Sequence, residues 1–217
     1  MERKQSIEGQ SIFSSESKLT NGLESLYRLF ILNALFIVTS LPIFTIGIAQ
    51  ISLYDSLTKI KEFPDSRPLL IFLQSIKTNW QQGLKIGLVE ILVSFILLLD
   101  MMILNAQTGN FSFMLNAFWY GISLLLVITM LYLIPLSLRK TEEKMMLLFR
   151  DSFLIACIHL PWSLGLMLLS FILFQLFQIN ILTTMSMISV FMVLGFSVFT
   201  YIQSIIVESI LNKELTI

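Results

Sequence analysis

Two long stretches that are almost free of charge restrict what this chain can fold into. The stretch from Ile86 to Leu138 contains only two charged residues, Glu90 and Asp100. The stretch from Ser152 to Val207 contains none. An α-helix needs about 20 apolar residues to cross the hydrocarbon core of a bilayer, so each stretch is long enough for two crossings. Hydrophobic residues make up 56% of the chain and charged residues 13%, against about 25% charged residues in soluble domains. The sequence therefore predicts an integral membrane protein.

The predicted fold is all-α, a polytopic transmembrane helical bundle with about five hydrophobic segments. The segments cover approximately residues 26–48, 84–104, 113–138, 153–177 and 181–207. They form a membrane domain over 26–208, between a polar N-terminal tail over 1–25 and a short tail over 209–217. Only short polar runs separate the second segment from the third and the fourth from the fifth, as is typical of turns between antiparallel helices.

The basic residues indicate how this bundle is oriented. Lysine and arginine concentrate in the loops before the second and fourth segments, whereas the two short turns contain neither. Cytoplasmic loops of membrane proteins carry an excess of these residues. We therefore expect a multi-pass protein of the bacterial cell membrane, with the basic loops and the C-terminus on the cytoplasmic side.

The first segment is interrupted by Pro42 and Gly47. Proline removes a helical hydrogen bond and bends or ends a helix, and glycine loosens the backbone that follows. Two arrangements remain open at this point. The segment could cross the membrane once as a kinked helix, with the N-terminus outside, or Leu26–Leu41 and Ile46–Ile60 could be two half-helices that enter and leave on the same side.

Composition also argues against several functional classes. The net charge is zero and no basic cluster is present, so a nucleic-acid partner is not expected. Cys157 is the only cysteine and His159 the only histidine, which excludes a disulfide framework and a Cys/His zinc site. We expect no metal and no cofactor. Because no nucleophile and base stand in a catalytic arrangement, we also expect that the protein is not an enzyme.

Glu90 is the strongest functional candidate, because it lies about six residues inside the second segment. A charged carboxylate at that depth costs about 3 kcal/mol, so it should face the interior of the bundle. It could line a path for a ligand, or it could pair with Lys85 or Arg139 and hold helices together. Asp100 lies near the outer end of the same segment and can reach the headgroups.

The first segment also has an unusual number of polar residues. Those singled out near the Pro42 break are Asn33 and Thr45, together with Thr39, Ser40 and Gln50. Carbonyl groups freed at a broken helix can bind an ion or a polar substrate, although side chains beside a proline can equally well satisfy the backbone. In the second segment, Gly83 and Gly87 have the small-xxx-small spacing that lets helices approach closely. Homo-oligomerisation through this motif is an open alternative.

Three stretches carry a resemblance to a known family. The run LNALFIVTSLPIFTIGIAQISLYDSL, from Leu32 to Leu57, resembles the opening signature of the YesL family of bacterial membrane proteins, whose function is unknown. Phe72–Leu84 and Leu148–Leu166 are similar to two later segments of that family. In these two segments the candidate interface residues are Asn79, Arg150, His159 and Pro161.

The resemblance implies a role beside carbohydrate uptake, because genes of this family often lie next to those for sugar-uptake ABC transporters. The leading hypothesis is therefore a non-enzymatic accessory or regulator, with the bilayer and a sugar ABC transporter permease as partners. The first alternative is a small transporter or channel-like protein that uses Glu90 and the break at Pro42. An intramembrane enzyme is the second and weakest alternative.

Overall fold

The computed structural model describes residues 22–63, 66–105, 110–141, 143–176 and 180–214, and it confirms an all-α fold for them. A 3-10 turn, Ile43–Thr45, precedes α2, and a π-helical turn, Phe191–Gly195, joins α7 to α8. The helices are α1 (Gly22–Ser40), α2 (Ile46–Glu62), α3 (Pro68–Asn105), α4 (Asn110–Arg139), α5 (Met145–Ile158), α6 (Leu160–Leu176), α7 (Ile181–Val190) and α8 (Phe196–Glu214). The predicted N-terminal tail lies outside these residues up to position 21.

Several helices are long and apolar enough to cross a membrane. Among the residues that the structure describes, four helices satisfy both conditions, over Gly22–Ser40, Pro68–Leu99, Gly121–Arg139 and Ile181–Asn212. A fifth span would need α5 and the first part of α6 together, and these two helices meet at an angle of 93°. Both the number and the composition of these helices fit a membrane protein.

The first segment is broken where the sequence predicted, and its two halves fold back on each other. α1 ends at Ser40, Pro42 is extended (φ −75°, ψ 124°), and α2 begins at Ile46. Phe36 of α1 and Leu53 of α2 line the same cavity, although in one straight helix they would be about 25 Å apart. α1 and α2 therefore form a helical hairpin, which is the geometry of the re-entrant alternative.

α2 is the central helix of the bundle. It is buried at almost every position from Gly47 to Leu57, with one side against α1 and α3 and the other against α4 and α8. Its buried polar groups need partners inside the protein. Ser56 donates to the carbonyl of Ser52 at 2.6 Å, and Lys59 donates to the Asp55 carboxylate at 2.6 Å. These local bonds lower the cost of burying a partly polar helix.

The glycine motif of α3 is used inside the chain. Gly47, near the start of α2, lies directly against Gly83 and Gly87, and a Cβ atom on Gly47 would overlap the backbone of both. A Cβ on Gly83 would lie 2.6 Å from the Cα of Ile48. The small-xxx-small pattern therefore brings α2 onto α3 within one molecule, and this contact occupies the surface that a dimer would use.

Helix breaks elsewhere are also satisfied by side chains. Pro135 lies inside α4 and cannot donate to the carbonyl of Leu131; Gln203 of α8 donates to that carbonyl instead, at 2.7 Å. At the elbow between α5 and α6, Ser163 donates to the carbonyl of His159 at 3.1 Å and lies 2.8 Å from the Tyr132 hydroxyl of α4. Side chains from neighbouring helices thus stabilise both irregular positions.

The C-terminal ends of α2, α4 and α8 meet at one end of the bundle, which we call the basic end after its residues Lys61, Arg139 and Lys140. Arg139 donates to Asn212 at 2.8 Å, and Lys61 donates to Ser204 at 2.6 Å. Because α1 and α2 form a hairpin, α1 starts at this end, and the tip of the hairpin points away from it.

Candidate functional site

A cavity of about 650 Å³ lies at the tip of the α1–α2 hairpin. Its walls come from α1, α2, α3, α4, the π turn and α8. Its volume is within the range of about 300–1,000 Å³ typical of sites for small molecules. Most of the lining is apolar, and its polar residues are Ser40, Gln50, Tyr54, Glu90, Thr200 and Gln203.

Glu90 faces this cavity from α3, and its partner is Gln50 of α2. With the amide nitrogen of Gln50 directed at the carboxylate, the two donor–acceptor distances are 2.7 and 2.9 Å. Glu90 follows Gly87 by one helical turn, so the close approach of α2 to α3 at the glycines places Gln50 opposite it. The ion pair with Lys85 or Arg139 is not what the structure contains: Arg139 donates to Asn212 instead, and none of the described lining residues is basic.

Aromatic side chains form one wall of the cavity. Phe36 and Phe196 pack with their ring centroids 5.0 Å apart, and Phe191 meets Phe196 edge to face at 5.4 Å. Phe199 and Tyr54 complete this aromatic wall. The Tyr54 hydroxyl is buried and has no hydrogen-bond partner among the described residues. The wall therefore offers ring faces and edges to a ligand but few hydrogen-bonding groups.

The π turn beside the cavity is held by Asn33 of α1. The Asn33 side-chain nitrogen donates to the carbonyls of Phe191 and Met192 at 3.1 and 2.8 Å, and its oxygen accepts from the backbone N–H of Ser197 at 3.1 Å. A π turn leaves helical backbone groups without their usual partners, and such turns are frequent at functional sites. Asn33 thus satisfies the backbone of a distant helix rather than presenting its amide to a ligand.

The polar residues at the Pro42 break mostly satisfy the local backbone. Thr45 donates to the carbonyls of Thr39 and Pro42 at 2.6 and 2.7 Å, and Thr39 donates to Leu35 at 2.6 Å. Ser40 donates to Ile37 at 3.0 Å while also lining the cavity. The roles of Pro42, Thr45 and Gly47 are therefore to shape the hairpin and set its distance from α3.

The remaining candidates lie elsewhere. Asn79 is buried, donates to Ser75 at 3.2 Å and lines a separate polar cleft of about 360 Å³. Arg150 is exposed and donates to Asp151 at 2.9 Å. His159 is the C-cap residue between α5 and α6, and Pro161 lies in the first turn of α6. Asp100 belongs to α3, but its side chain lies outside the described residues.

Two lysines at the basic end have altered acidity. Lys61 is partly buried over the ring of Tyr201, 4.6 Å from its centroid, and burial lowers its pKa, an effect that Glu208 opposes. Lys140 donates to Asp151 at 2.8 Å and pairs with Glu143 at 3.1 Å. These two hydrogen bonds raise the pKa of Lys140, and the bond to Asp151 has the larger effect. At the basic end, Lys140 is therefore held by two carboxylates, whereas no described basic residue lines the cavity.

Sequence reasoning named Glu90 and Gln50 but did not bring them together, and it missed Tyr54, Gln203 and the phenylalanines of the aromatic wall. Pro135 was a usable signal for Gln203, because a proline within a helix leaves one carbonyl to be satisfied. The phenylalanines gave no such signal, since apolar residues occupy most positions of these helices.

One comparison with known proteins gives a match. Residues 29–101, about a third of the chain, match the model of a family described as "Protein of unknown function, DUF624". The matched region includes most of α1, all of α2 and α3 as far as its last turn, and so it contains the hairpin, the glycine contact and Glu90. No curated protein and no solved structure matches the chain.

Proposed function

We propose that this protein is a small transporter whose ligand occupies the cavity at the tip of the α1–α2 hairpin. The observation that carries this proposal is the contact of Glu90 with Gln50 inside a cavity that is otherwise mainly apolar. An ionisable residue within a membrane segment marks a functional site by default. A ligand with an apolar body and one polar group would match this lining.

The helices around the cavity have the breaks that a transport cycle needs. α1 and α2 are separated at Pro42, and α7 and α8 at the π turn. Bending concentrates at prolines and π turns, so either pair can shift while its helices remain intact. Opening the glycine contact between α2 and α3 would separate Gln50 from Glu90 and release the polar group of the ligand.

We also propose that the protein is not an enzyme. In the cavity Glu90 faces an amide, which neither donates a proton readily nor acts as a nucleophile. General acid–base chemistry needs a second titratable group within hydrogen-bond reach of the reacting atoms. Tyr54 is the other titratable residue among the described lining residues, but its buried hydroxyl makes no hydrogen bond to any of them, so it is not paired with Glu90 as acid and base.

For the orientation, we propose that the basic end lies in the cytoplasm of a bacterial cell. The excess of lysine and arginine on cytoplasmic loops supports this, because Lys61, Arg139 and Lys140 gather at that end. The hairpin would then place residue 22 on the same side as the end of α8, and the cavity would lie deeper in the membrane. Accessibility of single cysteines at positions 62 and 212, in a Cys157→Ser background, tests the proposal.

Ligand binding is the first test of the transporter proposal. The purified full chain in lipid nanodiscs would be screened by thermal unfolding against neutral and charged small aromatic molecules, followed by uptake of the hits into proteoliposomes. We expect hits whose stabilisation and uptake are lost in Glu90→Gln and in Met130→Trp, which fills the cavity. The exposed carboxylate of Glu24 gives a matched control, Glu24→Gln, that should behave like the unchanged protein. Hits that persist in Met130→Trp would refute the cavity as the site.

An accessory role in carbohydrate uptake is the second candidate. It rests on the resemblance of Leu32–Leu57 to the YesL family; these residues lie within the region 29–101 that matches a family of unknown function. A sugar carries a hydroxyl on nearly every carbon, and each buried hydroxyl needs a partner, so the mainly apolar cavity is a poor sugar site. In this role the protein would act by contacting a sugar ABC transporter permease.

This second candidate is tested by affinity purification of the tagged chain from mild detergent. Recovery of a sugar-transporter permease, reduced in Pro42→Ala or Glu90→Gln, would support the accessory role and locate its contact. Recovery of the chain without a permease in several detergents would contradict it and leave the transporter proposal standing.

A further inference from the structure

The cavity has an acidic group without a basic partner. The described lining residues from α1, α4, the π turn and α8 are neutral, and Tyr54 is the one titratable group that α2 contributes. Glu208 of α8 and Arg139 of α4 act electrostatically on the Tyr54 hydroxyl with opposite signs, and neither of them lines the cavity. Gln50 supplies hydrogen bonds to Glu90 but no charge. An isolated carboxylate in an apolar site must be neutralised, and either a proton or a bound cation can do this.

The aromatic wall is the second observation, and it is independent of the first. Phe36, Phe191, Phe196 and Phe199 share the cavity with Tyr54. The face of an aromatic ring attracts a cation, and this attraction strengthens when both are shielded from water. Aromatic rings around a carboxylate are the chemistry that recognises an organic ammonium or phosphonium ion, whereas an anion would meet repulsion from both.

We propose that the ligand is a lipophilic organic cation and that it exchanges for a proton on Glu90. This inference rests on the proposed function and names its ligand class. In the empty cavity the Glu90 carboxyl group holds a proton. When the cation enters, the O–H bond breaks, the electron pair stays on the carboxylate, and the proton leaves to water. One positive charge replaces another, so the cavity is neutral in both states and the exchange can be driven by a proton gradient.

Calorimetry with tetraphenylphosphonium tests this exchange. The full chain in phosphatidylcholine nanodiscs would be titrated between pH 5.5 and 8.5, with empty nanodiscs as the blank. We expect affinity to rise by up to about tenfold per pH unit, since one proton is released for each cation bound. Repeating the titration in buffers of different protonation enthalpy would count that proton directly. Triphenylphosphine oxide and tetraphenylborate are neutral and anionic probes of similar shape, and both should bind at least tenfold more weakly.

Variants separate this inference from the transporter proposal. Glu90→Gln should abolish proton release and the pH slope, Glu90→Asp should retain both, and Glu24→Gln should match the unchanged protein. Equal binding of the neutral probe, lost in Met130→Trp, would overturn the cation exchange and leave the transporter proposal intact. Cation binding without proton release would also overturn the exchange. Failure of all three probes and of the wider screen would overturn both proposals.

Discussion

Replacing Gly47 by alanine tests the contact on which the cavity depends. The added Cβ would lie 2.6 Å from the Cα of Gly87 and would also overlap the carbonyl oxygen of Gly83 and the amide nitrogen of Gly87. Carbon atoms in contact are normally about 3.5–4.0 Å apart. All three of these atoms belong to backbone and cannot rotate away, so α2 and α3 would have to separate by about 1 Å.

The expected cost follows from that separation. Overpacking a well-packed site costs about 1–3 kcal/mol, and the upper end applies because no side chain can yield. Alanine is more favourable than glycine within a helix by about 1 kcal/mol. Gly47→Ala should therefore lower the free energy of unfolding by about 2 kcal/mol, and because α2 carries Gln50 away from Glu90, it should also weaken ligand binding.

Unfolding in mixed micelles with increasing dodecyl sulfate, followed by tryptophan fluorescence, measures this difference. Gly121→Ala and Gly165→Ala are matched controls, since a Cβ at either glycine meets nothing within 4 Å. They should be neutral or slightly stabilising. A Gly47→Ala protein as stable as these controls would refute the close approach of α2 to α3.

Two further predictions concern the helix irregularities beside the cavity. Gln203→Leu leaves the carbonyl of Leu131 unsatisfied and should lower the free energy of unfolding by about 1–3 kcal/mol. Adding Pro135→Ala restores the helical donor to that carbonyl, so the loss of stability should be smaller in the double variant. If the effects of the two substitutions on the free energy of unfolding simply add, Gln203 does not satisfy that carbonyl. Asn33→Leu removes the bonds to the π turn, and hydrogen exchange should rise selectively at residues 191–197. Unchanged exchange there would show that Asn33 does not hold the turn.

Much of the fold was predictable because a membrane restricts the choices. The charge-free stretches predicted the apolar helices, and Pro42 predicted the end of α1. The length of α3 was not predicted: residues 74–85 include many polar side chains, yet no proline or glycine stops the helix between Pro68 and Gly83, so it continues over 38 residues. Likewise, the fourth segment was predicted as one stretch over 153–177, whereas the structure bends it by 93° between α5 and α6.

The candidate site was predicted only in part, because its contacts join distant positions of the chain. Depth in the membrane was enough to single out Glu90. Its pairing with Gln50 could be predicted only if two facts were known: that α2 folds back on α1, and that Gly47 brings α2 into contact with α3. The sequence left both open, since a kinked span and a hairpin have the same composition. The aromatic wall depends in addition on the π turn, for which no pattern in the sequence gave a signal.

The bonds that stabilise the helix breaks also connect the walls of the cavity to one another. Asn33 joins α1 to the π turn, and Gln203 joins α8 to α4 at Pro135. Each bond replaces a helical hydrogen bond that the break removed, so it can break and re-form without unfolding a helix. A shift of α8 that broke these bonds would move Phe196 and Phe199 relative to Glu90. Asn33→Leu and Gln203→Leu should therefore alter the affinity for a cavity ligand beyond what their effect on stability explains, whereas Ser163→Ala, at the elbow between α5 and α6, should alter stability alone.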